Sequence, residues 1–85
     1  MAAARLHSAD LSASQLGGAD LTTADLRGAD LTGADLRAAI LEGANLSEAK
    51  LESTNLANLD LRGATLVGSF LGSAILEGTN LRGVD

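Results

Sequence analysis

The side chains that could form a nucleophile and base lie near the start of the chain, where His7, the only histidine, precedes Ser8 and Asp10. A Ser-His-Asp triad needs side chains that converge from separate elements on one pocket. These three follow one another along a single stretch, so they cannot converge in that way. We therefore expect His7 to be an exposed surface residue, and we predict no catalytic residues and no enzyme.

Groups that would bind a cofactor or a metal are also missing from the sequence. The chain has no cysteine, which excludes a disulfide framework and a thiolate metal site. Its ten glycines do not form the phosphate-binding pattern G-x-x-x-x-G-K-[ST]. The sequence predicts no cofactor.

The charge and hydropathy of the 85 residues restrict the partners of the protein. Eleven acidic and six basic residues give a formal net charge of -5, whereas nonspecific binding to nucleic acid or to an anionic membrane needs basic surface. No apolar run approaches the ~18 residues of a membrane span, and the first residues lack the apolar segment of a signal peptide. We expect a cytoplasmic protein with no direct contact to nucleic acid or membrane.

The elements that position these side chains repeat every five residues. Leucine occupies sixteen successive positions at that spacing without an insertion, from Leu6 to Leu81. A small residue, mostly alanine, stands two positions before each leucine except Leu61, which follows Leu59; the same slot holds Val84 after the last leucine. A spacing of five scatters the leucines around a helix and alternates them between the faces of a strand. Each pentad therefore forms one side of a coil, as a short extended piece followed by a corner.

Glycine marks many of these corners. Eight of the ten glycines lie two positions after a leucine, which is the third position of a turn that begins at the leucine. A type II turn needs a positive φ there, which glycine adopts without steric cost. Where another residue occupies this position, we expect a type I or irregular corner; these residues are Ser8, Ala13, Thr23, Ala38, Glu48, Ser53, Asn58 and Ser73.

The phrase A-(D/N)-L-x-x, seen as "ADLTT", "ADLRG", "ADLTG", "ANLSE" and "TNLRG", resembles the pentapeptide-repeat family over the whole chain. The resemblance implies an all-β fold, a right-handed quadrilateral parallel β-helix with a hydrophobic Leu/Ala interior. Spacing alone leaves three or four sides open, and the resemblance implies four pentads per coil. Sixteen pentads then give about four coils in one uninterrupted domain, residues 1–85, and no capping helix is visible in the sequence.

The implied register places residues twenty positions apart above one another. It predicts surface ion pairs of Lys50 with Asp30, of Arg5 with Asp25 and of Glu42 with Arg62. Asp10 and Asp30 also stack, but two carboxylates on a convex wall are far short of the six to eight oxygens that Ca²⁺ binds. We predict no metal site.

Departures from the repeat indicate where contacts with other molecules form. Leu59 stands in a slot where its neighbours are Ala39 and Thr79, so we expect this level to bulge or shift. Ile40 occupies an outward slot that usually holds Asp or Asn. Outward apolar residues of the last coil are candidate contacts with a partner or a second copy, the alternative being local cover for a corner or chain end; they are Val67, Phe70 and Ile75.

Three kinds of function fit these features. The first is a structural or protein-interaction module that associates with itself end to end through an uncapped terminal coil. The second is implied by the resemblance and is an acidic DNA mimic that binds a type II topoisomerase, gyrase. The third is a designed or idealised repeat scaffold. The mimic would use an acidic surface made by Asp10, Asp20, Asp25, Asp30 and Asp35.

Overall fold

The computed structural model describes residues 5–6 and 8–79, so that His7, whose exposure is predicted above, lies outside the described residues. Secondary structure in these ranges consists of turns and single-residue parallel bridges, without a helix or a longer strand. No helix in this part of the chain is therefore long and apolar enough to cross a membrane. The bridges are Arg5↔Asp25, Asp10↔Asp30, Gln15↔Asp35, Asp20↔Ile40, Asp25↔Asn45, Asp30↔Lys50, Asp35↔Asn55, Ile40↔Asp60, Asn45↔Thr65, Lys50↔Phe70 and Asn55↔Ile75.

Every bridge joins a residue to the one twenty positions further on. Twenty residues are four pentads, so four pentads complete one coil and the chain follows a four-sided path. Backbone hydrogen bonds hold successive coils together in a pattern that repeats at each side. The N–H of Leu26 donates to the carbonyl of Asn45 at 2.8 Å, and the N–H of Asn45 donates to the carbonyl of Ala24 at 2.9 Å.

The corners are alike in backbone conformation whatever residue they carry. At each described corner the leucine carbonyl accepts the N–H three residues on, as in Ala24 N to Leu21 O at 2.9 Å. The third turn residue has positive φ at every corner, between 67° and 73° for glycine and between 56° and 62° for the others. The expectation of type I or irregular corners was therefore wrong for all eight non-glycine positions; these are Ser8, Ala13, Thr23, Ala38, Glu48, Ser53, Asn58 and Ser73.

A substitution pair at two corners tests how much backbone strain these residues carry. Thr23 is β-branched with φ 56°, a conformation that costs a non-glycine residue about 1–2 kcal/mol. We expect Thr23→Gly to raise the free energy of unfolding by roughly 0.5–1 kcal/mol, because the extra chain entropy of glycine offsets part of the relief.

The matched control is Gly33→Ala, since Gly33 has φ 69° and nothing within 4 Å of an added Cβ. This change should lower the free energy of unfolding by about 1–2 kcal/mol, measured by urea denaturation. A gain of stability in Thr23→Gly together with a loss in Gly33→Ala is the expected result. A loss of stability in both variants would show that Thr23 is unstrained.

The inward slots of the repeat form the core, as the spacing predicts. The leucines from Leu21 to Leu61 are 0% exposed at every fifth position, and Leu6, Leu11, Leu16, Leu66 and Leu71 are partly buried against them. The alanines two positions before the leucines are buried from Ala24 to Ala64 and partly buried nearer the ends of the described column, and Thr54 is the one buried polar residue among the described positions. Its hydroxyl donates to the carbonyl of Leu31 at 2.9 Å, so the polar atom is satisfied inside the column.

The level that contains Leu59 departs from this regularity. Leu59 is 2% exposed and its turn hydrogen bond, to the carbonyl of Leu56, is 3.3 Å, longer than at any other described corner. Five coil-to-coil hydrogen bonds that recur at the other described levels fall outside strict hydrogen-bond geometry between residues 34–41 and 55–60, although the parallel bridges there persist. A large side chain in a slot that usually holds alanine overpacks this level, which accounts for the long turn bond and the weaker coil-to-coil bonds.

Candidate functional site

Most outward Asp and Asn side chains cap their own corner. Each accepts a hydrogen bond at Oδ1 from the N–H two residues on, at 3.1 Å for Asp10, Asp20, Asp30 and Asp35. The hydroxyls of Ser12 and Thr22 add a second bond to Asp10 and Asp20, at 2.7 and 2.6 Å. An Asx-turn of this kind explains why a short acceptor precedes the leucine.

Arginine neutralises part of the candidate acidic surface. Arg27 donates to both carboxylate oxygens of Asp25, at 2.8 and 2.7 Å, and Arg37 binds Asp35 in the same two-pronged way at 2.9 and 2.7 Å. Bidentate pairs of this kind orient both side chains. Two of the five candidate aspartates therefore present a paired charge to a partner.

The pKa values of three candidate aspartates are lowered by these local contacts. The Arg37 guanidinium, which hydrogen-bonds the carboxylate, and then the Arg37 N–H lower the pKa of Asp35 to about 2. The Thr22 side chain and N–H lower the pKa of Asp20, and the Thr32 side chain and N–H do the same for Asp30, with a smaller contribution from the charge of Lys50. These carboxylates stay ionised in neutral solution.

The five candidate aspartates do not form one acidic face. The twenty-residue register places Asp10 directly below Asp30 on one side of the column, as expected. Asp20, Asp25 and Asp35 each lie on a different one of the other three sides, because their pentads occupy different quarters of a coil. The structure therefore brings together only one pair of the five.

The predicted cross-coil ion pairs have different outcomes. Arg62 and Glu42 approach to 3.9 Å, while Arg62 also binds Asp60 at 2.7 Å. Lys50 pairs with Asp30 through the backbone bridge and contributes to its lowered pKa, but no Lys50–Asp30 ion pair within 4 Å forms in the described structure. Asp25 takes Arg27 as its bidentate partner.

No group of three or more His, Cys, Asp or Glu side chains among the described residues could hold a metal ion.

Exposed apolar side chains are concentrated on the last described coil. Val67, Phe70 and Ile75, the three candidate contact residues, are 53%, 55% and 49% exposed. Leu76 joins them at 38%, a residue that its inward slot predicts to be buried. We call these four residues the upper apolar band; Ile40, lower on the column, is the other exposed large apolar residue in the described ranges.

A shallow groove lies beside the upper apolar band. Asp30, Thr32, Lys50, Glu52 and Phe70 line it, with Phe70 above Lys50 in the bridge between their coils. The groove therefore combines an aromatic ring with side chains of both charge signs. Sequence reasoning missed the groove because it depends on the vertical stacking of three coils, which the spacing of the leucines does not specify.

These features define the class of protein: a β-helical repeat solenoid with a filled interior and its variable residues on the outside. Two consecutive matches to the family model of pentapeptide repeats (8 copies) cover residues 4–43 and 44–83. The chain belongs to the pentapeptide-repeat family, which confirms the resemblance seen in the sequence. Solved structures of this family are right-handed quadrilateral β-helices, and its proteins are generally structural or interaction modules.

Two solved structures illustrate the similarity. A pentapeptide repeat protein from the thylakoid lumen of Arabidopsis thaliana is 38% identical, with a TM-score of 0.64, and the match covers 95% of this chain and 57% of that one. A pentapeptide repeat protein from Nostoc PCC 7120 is 34% identical, with a TM-score of 0.57, over 99% of this chain and 81% of that one. The chain thus spans little more than half the length of the first of these proteins. No curated protein matches it as a relative.

Proposed function

We propose that this protein is a non-enzymatic interaction module, a right-handed column of about four coils that associates with a second copy of itself through the last coil. The observation that carries the proposal is the upper apolar band. Four of the five exposed large apolar residues in the described ranges fall between Val67 and Leu76. These side chains lie at one level of the column but on adjacent sides, since Phe70 and Ile75 belong to neighbouring bridges, and such a concentration of exposed apolar residues favours a protein contact.

An end-to-end arrangement would also cover apolar side chains that stand in inward slots. Leu66 and Leu71 are only partly buried although they occupy slots that are fully buried in the middle of the column, and Leu76 is exposed. A second copy placed against this coil would cover both these leucines and the outward band. Burial of apolar surface is the main driving force of such an association.

The groove below Phe70 favours a second copy as the partner. It contains Lys50 together with the carboxylates of Asp30 and Glu52, so the same surface offers both charge signs. A two-fold interface places one surface patch against its own copy, which requires such self-complementarity. A partner recognised by one charge sign alone would fit this groove less well.

Phe70→Asp tests the proposal without disturbing the fold. Aspartate is the usual residue in this slot, where it caps the corner as Asp10 and Asp20 do. We expect the wild-type mass in light scattering to rise toward a dimer with concentration, and we expect the variant to stay monomeric. The driving force lost is the burial of the exposed part of one Phe side chain, about 1–1.5 kcal/mol per copy, since Phe70 is 55% exposed.

Ile40→Asp is the matched control, since Ile40 is 44% exposed in the same slot of a lower coil. This variant should dimerise as the wild type does. A wild type that stays monomeric at every concentration, or equal loss in both variants, would overturn the proposal.

The topoisomerase-directed mimic is the alternative, and the geometry gives it less support. A mimic of DNA needs its negative charge along one face, whereas the five candidate aspartates are spread over four sides and Arg27 and Arg37 neutralise two of them. Inhibition of gyrase supercoiling by micromolar protein would favour this alternative over self-association.

A further inference from the structure

Two adjacent sides of the column share a level at which the coils are weakly joined. Five coil-to-coil N–H groups, those of Leu36, Ala38, Leu41, Asn55 and Asp60, face carbonyls of the next coil outside strict hydrogen-bond geometry, although the parallel bridges there persist. On the same two sides one coil lower, all five equivalents are present; their donors are Leu16, Gly18, Leu21, Asp35 and Ile40, at 2.8–3.0 Å. We call the level between residues 34–41 and 55–60 the seam.

The seam is confined to part of the perimeter. At the same level on the other two sides, Leu26 donates to Asn45, Leu31 donates to Lys50, and Lys50 donates to Ala29, all at 2.8–2.9 Å. The coils below and above are therefore joined firmly on two sides and loosely on the other two. A separation at this level would open like a wedge about the bonded sides.

The residues inside the column account for the position of the seam. Its two sides carry Thr54 and Leu59 in inward slots, facing Ala34 and Ala39 of the coil below. One coil lower the facing residues are small, with Ala39 above Ala19. Ala39 is 4% exposed and Leu59 2%, whereas most neighbouring core residues are 0% exposed, so the wall is slightly open here. The bulk of two inward side chains in alanine slots spreads the coils.

We propose that the seam is an opening point built into the fold, at which the lower and upper coils separate transiently as one cooperative local event. The amides on both edges of the seam share this opening because one motion exposes them all. At the other levels between described residues each side retains its full set of coil-to-coil bonds, and opening requires their loss.

Residue-resolved amide hydrogen exchange tests this proposal on the native protein. The amides of Leu36, Ala38 and Leu41 should exchange at least about tenfold faster than the equivalent amides one coil lower. These are the amides of Leu16, Gly18 and Leu21. A tenfold ratio corresponds to a difference of about 1.4 kcal/mol in the free energy of opening. In Leu59→Ala we expect this difference to shrink to about threefold or less, because the coils can close once the large side chain is removed.

Leu56→Ala is the control, since it deletes an equally large buried side chain at the same level from a slot that always holds leucine. It should speed exchange throughout the column and leave the seam amides the fastest. Equal exchange at the seam and one coil lower in the wild type would overturn the proposal. So would an undiminished difference in a Leu59→Ala protein that stays folded by circular dichroism.

Discussion

Leu46→Ala is expected to lower the free energy of unfolding by about 2–5 kcal/mol, the range for a buried leucine in a close-packed core. Leu46 is 0% exposed and stands in the middle of a vertical row with Leu26 below it and Leu66 above it. Its loss removes apolar contacts on both sides and leaves a cavity between two coils. The coils cannot close on it, because backbone hydrogen bonds at fixed spacing hold them apart.

The measurement is urea or guanidinium unfolding followed by circular dichroism, with Leu76→Ala as the matched control. Leu76 occupies the same slot of the repeat but is 38% exposed, so we expect its truncation to cost about 1 kcal/mol or less. A similar cost for both variants would mean that the column has no buried middle. A Leu46→Ala protein that does not fold at all remains consistent with the upper end of the range, since small domains have little stability to lose.

The inward slots were predictable because the fivefold spacing contains their whole signal. A side chain that returns to the same slot in every pentad must point the same way in every pentad, and leucine and alanine at those slots can only be the interior. The disturbance around Leu59 was predictable for the same reason, since this leucine stands in the inward slot that Ala39 occupies one coil below. What the spacing does not contain is the number of pentads in one coil.

The sides of the column depend on that number, so the candidate sites were harder to predict than the core. The stacking of Asp10 below Asp30, and the separation of both from Asp25, follow only once four pentads are known to close a coil. The capping role of the aspartates did have a signal, a hydroxyl or arginine two positions after the acid. The same signal also fits free surface charge, so the sequence alone does not distinguish a capping carboxylate from an exposed one.

The backbone conformation of the corners shows a different limit of prediction from the sequence. Local preference disfavours positive φ at Thr23 or Ser53, and the expectation of another turn type followed from that preference. The structure keeps positive φ at these positions because the third residue of a corner donates to the next coil, as Ser53 N does to Gly72 O at 2.9 Å; Ala38, at the seam, is the exception among the described corners that face a described coil above. Hydrogen bonds between coils therefore decide a conformation that each pentad alone would avoid.

Ala44→Leu should reproduce the seam at a second place and lower the free energy of unfolding by about 1–3 kcal/mol through overpacking. Ala44 is fully buried in a row of alanines, with Ala24 below and Ala64 above, so the wild-type protein has no room for three more carbons. The added side chain should spread these coils as Leu59 spreads its own. We expect faster amide exchange at Asn45 and Thr65, whose N–H groups now bond to Ala24 and Ala44 at 2.9 Å.

Ala44→Ser separates the effect of size from the effect of any change at this slot. Serine occupies the equivalent slot at Ser14 and Ser69, and a hydroxyl there can donate to a leucine carbonyl, as that of Thr54 does to Leu31. Exchange at Asn45 and Thr65 should then stay close to the wild-type rate. If Ala44→Leu leaves both amides protected, side-chain bulk is not what opens the coils. The weak bonding around Leu59 would then need another cause, whereas the opening itself, measured in the unmodified protein, would stand.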